Sequence, residues 1–166
     1  MSVFTSALSG TCAGVDTWHF VSYDQLSQDL LPENKDVGLI FIETSWKASQ
    51  LPYHKQKLAL LLSNQRHFAL EMQDAGYSVR YIFSEKKYGE ALAELCEELG
   101  EITVTKPAEL SLRRSIQPLV EAGQLRVLEH KGWLTTTEDF IKGAGQNAPW
   151  RMDKFYRYIR KNYSIM

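Results

Sequence analysis

The chain has 166 residues, 44% hydrophobic and 23% charged, with a formal net charge of -1 at pH 7. This is the composition of an ordinary soluble globular domain, and it gives no global attraction to nucleic acid, so any such surface would be a local patch. The two cysteines, Cys12 and Cys96, are too few for a four-thiolate iron–sulfur site and form no CxxC pair.

Residues 1–17 lack a basic start and a continuous apolar stretch, so no signal peptide is expected there, only a loose lead. No apolar run is long enough to span a bilayer, and a cytoplasmic location is expected. Trp18-His19-Phe20-Val21-Ser22 reads as a first strand. Val37-Gly38-Leu39-Ile40-Phe41-Ile42 has the continuous apolar pattern of a strand buried on both faces. It stops at the chemical segment Glu43-Thr44-Ser45-Trp46-Lys47. A long helix is predicted from about Tyr53 to Ala75, with Leu58, Leu61, Leu62, Phe68, Ala69 and Met72 on one face and Gly76 as a left-handed cap. The third strand is predicted over 77–83.

A helical stripe of Tyr88, Leu92, Leu95, Cys96 and Leu99 follows and makes Cys96 an inert buried thiol. Residues 102–105 and 125–128 read as strands. Leu112, Ile116, Leu119 and Val120 mark a helix between them, which Pro118 weakens by removing a backbone donor. Thr137 is placed to cap a short turn, and Pro149 to open a last helix. Over 151–166 that helix carries Arg151, Lys154, Arg157, Arg160 and Lys161 against Asp153 alone. Its apolar face is predicted as Met152, Phe155, Tyr156 and Ile159. Its cations read first as a solvated face, with a partner interface and a nucleic-acid patch as the other readings. Strands alternating with helices predict a doubly wound α/β fold, and such sheets hold ligands outside the carboxyl ends of their strands.

Several chemistries fail against this layout. Tyr23-Asp24-Gln25-Leu26, after the first strand, has no glycine to let a backbone approach a pyrophosphate, and Gly143-Ala144-Gly145 follows no strand. There is no GxSxG elbow and no P-loop. His19, His54, His67 and His130 lack the spacing of a metal pair and read as packing or surface residues. Asp24 and Glu43 stand at strand ends, where they could hold a polar ligand. The favoured reading of their spacing is structural: helix capping, or pairing with Lys55 or Lys57.

His54-Lys55-Gln56-Lys57-Leu58-Ala59-Leu60 with Arg66-His67-Phe68, preceded by Glu43 and Asp24-Gln25-Leu26, resembles the photolyase-related, iron–sulfur branch of the cryptochrome/photolyase superfamily. Thr105-Lys106-Pro107-Ala108-Glu109, Trp133-Leu134 with Phe140, and 151–157 continue the likeness, which covers roughly 18–166. The resemblance implies a Rossmann-like, three-layer α/β/α domain over 18–166, with five parallel strands in the order 3-2-1-4-5. It also implies an antenna role in a DNA-repair family, with 6,7-dimethyl-8-ribityllumazine as the small heterocyclic pigment. The implied pigment site comprises Tyr23, Asp24, Gln25, Glu43, Lys47 and Leu61. Tyr23 replaces a family glycine, Lys47 a glutamate and Gln50 an aromatic residue.

In similar proteins a C-terminal helical domain carries FAD, the iron–sulfur cluster and the lesion pocket. The resemblance places Met166 at the exit from the α/β domain. The expectation is therefore a domain without catalysis of its own and with no metal site, reaching DNA only indirectly and joined to a catalytic domain in cis or in trans. The alternative is a vestigial structural or partner-binding module supporting a separate flavin-binding half.

Overall fold

The computed structural model describes residues 3–8 and 14–165; Cys12, in the lead expected to be loose, lies outside them. They group into two compact units, one running to His130 and one from Lys131 onward. The first unit contains α1 (Val3–Ala7), β1 (Thr17–Phe20), a 3-10 turn (Gln28–Leu30), β2 (Val37–Thr44), α2 (Ser45–Ser49) and α3 (Lys55–Asp74). It continues with β3 (Val79–Ser84), α4 (Tyr88–Leu99), β4 (Ile102–Thr105), α5 (Leu110–Glu121) and β5 (Leu125–Leu128). The five strands are all parallel, in the order β3-β2-β1-β4-β5. This is the Rossmann-like topology expected.

Burial follows the pleat, because successive strand residues face opposite sides of the sheet. Ile40 and Ile42 of β2 join Phe20, Val104, Leu92 and Ile116 in one core cluster. Leu39 and Phe41, the alternate residues, join Val21, Phe68, Ala69 and Met72 in the other. Helices therefore cover both faces. Cys96 is buried in the first cluster, its thiol donating to the Gln124 carbonyl at 3.4 Å, and burial pushes its pKa up.

Element boundaries shift where side chains or turns intervene. β3 starts at Val79 and not at Tyr77, because the Tyr77 N–H turns back to the Met72 carbonyl and closes the end of α3. Gly76 makes that turn at φ 95°, a conformation that costs a side-chain-bearing residue energy. Two helices arise where none was foreseen, α1 and α2. Thr44 caps α2, its hydroxyl accepting from the Trp46 N–H at 3.2 Å and donating to the Lys86 carbonyl at 2.6 Å. His54 caps α3, Nδ1 accepting from the Gln56 N–H. Pro118 sits inside α5 near its end.

The second unit holds α6 (Thr137–Ala144) and α7 (Met152–Asn162). Thr136, one residue before the expected cap, closes a reciprocal capping box with Asp139. α7 begins after an extended Arg151, three residues beyond Pro149, while the Trp150 indole donates to the Gly145 carbonyl. A Cβ at Gly143 would lie 2.9 Å from the rings of Phe155 and Tyr158, so glycine sets the close approach of α7. The inward face of α7 is Phe155, Tyr158 and Ile159, whereas Met152 and Tyr156 are exposed, a correction to the predicted stripe.

Candidate functional site

A cavity of about 300 Å³ opens at the carboxyl ends of the strands. One wall is the first half of α3, with Leu58, Leu61 and Leu62, and Tyr53 stands just before that helix. Tyr23 beyond β1, Glu43 and Thr44 at the end of β2, and Lys47 on α2 form the opposite side. Tyr88 at the start of α4 and Glu109 just before α5 complete it, with Gln65 below. Gln65 is buried and donates to the Ile42 carbonyl at 3.0 Å.

Two carboxylates organise the polar rim. Glu109 accepts from the Tyr23 hydroxyl at 2.5 Å, from the Lys47 ammonium and from the Ser111 hydroxyl. Tyr23 follows β1 and Glu109 follows β4, so this bond bridges the two strands between which the chain reverses direction across the sheet. Burial pushes the Glu109 carboxyl up, but the bonds from Lys47, Ser111 and Tyr23 outweigh it and hold the pKa below its ordinary value. Burial and Glu109 together push the Tyr23 phenol far up.

Glu43 is the second centre. Arg66 grips it with both arms of its fork, Nε to Oε2 at 2.8 Å and Nη2 to Oε1 at 2.6 Å, and the Tyr81 hydroxyl adds a bond at 2.8 Å. Arg66 also lies over the rings of Phe4 and Phe83. Glu43 therefore pairs with Arg66, not with Lys55 or Lys57 as its spacing suggested. Lys57 instead lies over the Tyr53 ring.

Of the six site residues inferred from the sequence, Tyr23, Glu43, Lys47 and Leu61 come together at the cavity. Asp24 and Gln25 do not line it. Asp24 is exposed and accepts from the Ser22 hydroxyl. Gln25 is buried, donating to the carbonyls of Thr105 and Lys106, and its Oε1 has no partner among the described residues. Tyr53, Gln65, Tyr88 and Glu109 belong to the site and were missed. Gln65 carried a signal: it is a polar residue on the inward face of an apolar stripe. Glu109 carried another, since it follows the carboxyl end of a strand and a proline.

The described residues contain no cluster of three or more acids, histidines or thiols able to hold a metal ion. His19 is buried, its Nδ1 2.9 Å from the Thr103 hydroxyl, and desolvation lowers its pKa to about 4. No helix among the described residues is long and apolar enough to cross a membrane.

Fold and cavity define a Rossmann-like α/β domain with a ligand-sized hollow at the switch point of its sheet. The chain belongs to the deoxyribodipyrimidine photo-lyase-related protein family, which it matches over residues 19–166. It is also similar to a (6-4) photolyase of Agrobacterium fabrum (strain C58 / ATCC 33970), with 27% identity over 156 residues. That match takes in 86% of this chain and 31% of the photolyase, so the chain spans about a third of the relative's length.

Proposed function

We propose that this chain is the antenna-type, N-terminal α/β domain of a photolyase-related DNA-repair protein and holds a ribityl-lumazine pigment without catalysing repair itself. The observation that carries this reading is the cavity. At about 300 Å³ it lies at the small end of ligand pockets, with leucine and tyrosine walls for a flat ring and a polar rim for its edges. The residues fit the pigment: Leu58, Leu61 and Tyr88 would flank the heterocycle, while Lys47 and Gln65 would meet its carbonyls and ribityl hydroxyls. The pigment, when bound, would supply light absorption. Arg66 and Tyr81 neutralise and fix Glu43, so that the cavity offers a set hydrogen-bonding edge and not a mobile charge. Flavin, cluster and lesion recognition are assigned to a C-terminal photolyase domain, in cis or in trans.

Titration of the purified chain with 6,7-dimethyl-8-ribityllumazine, followed by pigment fluorescence, tests the reading. A saturable change supports it, and unchanged fluorescence at high protein concentration counts against it. Two observations favour the second reading, a structural module for a separate flavin-binding half. Lys47 is already spent on Glu109, and the second unit exposes Trp150, Met152 and Tyr156. Light-dependent repair restored only by a separate flavin-binding polypeptide, with no pigment bound, would support that reading.

A further inference from the structure

We infer that the ligand of this cavity carries an anionic ester, a phosphate in the simplest case, beside its ring system. The inference rests on the cavity holding a heterocycle and specifies which kind. A second hollow, of about 310 Å³, adjoins the first and shares Lys47, Tyr88 and Glu109 with it. Lys47, Lys87 and Arg114 line this groove, along with the hydroxyl-bearing Ser111 and Ser115. Glu109 is the one acid among its lining residues, and it is already neutralised by Lys47 and bonded by Tyr23 and Ser111.

Lys87 lies over the Trp46 ring at 5.6 Å, and neither Lys87 nor Arg114 has a carboxylate partner among the described residues. Ser115 accepts from the Gly89 N–H, leaving its own proton to give. The first turns of α4 and α5 both border the groove, and helix N-termini favour negative charge. A ring against Leu58 and Leu61 would have its tail pass Lys47 and end between Lys87 and Arg114. A neutral tail leaves both without a counter-charge, Lys87 with only the Trp46 ring beneath it and Arg114 exposed. A phosphate pairs with both.

The test compares 6,7-dimethyl-8-ribityllumazine with its 5′-phosphate by fluorescence titration, on the parent chain and on the Lys87→Ala/Arg114→Ala double variant. The expected result is binding of the phosphate at least about tenfold tighter, a preference that shrinks when salt rises from about 0.05 to about 0.5 M. The double variant should lose the preference and keep its affinity for the unphosphorylated pigment. Equal affinities in the parent chain, or a preference that survives in the double variant, would overturn the anionic arm while leaving the pigment reading intact. Binding of neither compound would overturn both.

Discussion

His19 and Glu109 act in different pH windows, and each can be tested alone. His19 is buried and neutral, with its pKa depressed from 6.5 to about 4. Between those values the unfolded chain binds a proton that the folded chain refuses, so stability falls as pH drops through the window. The loss amounts to about 3 kcal/mol. Urea unfolding at stepped pH should show that fall, and His19→Gln should flatten it. Glu109 is held below its ordinary value, so its contribution is present above that value and is lost as pH falls through the lower, folded one. Glu109→Gln should cost about 1–2 kcal/mol near neutrality, through weakened bonds to Lys47 and Tyr23. It should remove only the part of the acid limb that lies below the ordinary carboxylate value of 4.5, which overlaps the foot of the His19 window. A variant acting across both windows would show that the two groups are coupled.

The long helix α3 does two jobs along one stripe. Its 20 residues extend about 30 Å, more than the 8 residues of β2, the longest strand, at about 26 Å, so the helix outruns the strands it packs on. Phe68, Ala69 and Met72 lie over the sheet and are buried; Leu58, Leu61 and Leu62 lie past its end and are only half-buried, walling the cavity. Phe68→Ala should therefore cost on the order of 3–5 kcal/mol in urea unfolding. Leu61→Ala should cost roughly 1–2 kcal/mol and weaken pigment binding. Equal costs would place both in the same core. The stripe itself was legible, because period 3.6 is a property of sequence. Which half meets a sheet and which meets a hollow was not, since that depends on where neighbouring strands stop. The short helix α2 was hidden for a related reason: Thr44 serves both as the last residue of β2 and as a cap, and a five-residue helix shows no period.

At the scale of the whole chain, sheet order and strand positions could be read in advance from alternation and family likeness. The Glu109 hub could not, because Tyr23, Lys47 and Glu109 are brought together by topology from three separate segments, two loops and the helix α2. The chain spans about a third of the photolyase it resembles. By itself it should show no stoichiometric flavin absorbance and no light-dependent repair of lesion-containing DNA. Spectra of the purified chain and an illuminated repair assay check this, and either signal would refute the assignment of catalysis to another domain. Any DNA binding through the cations of α7 should fall steeply with salt and not distinguish damaged from intact strands.

Trp18 and Trp46 occupy contrasting places: one is enclosed in the core, the other half-buried beside the groove beneath Lys87. Indole emits where near-ultraviolet-absorbing heterocycles absorb. A pigment in the cavity that adjoins this groove would drain the Trp46 emission by resonance transfer, so the chain contains its own optical gauge of occupancy. Replacing Trp46 with phenylalanine would isolate how much of the quenching arises there, without any label attached to the molecule.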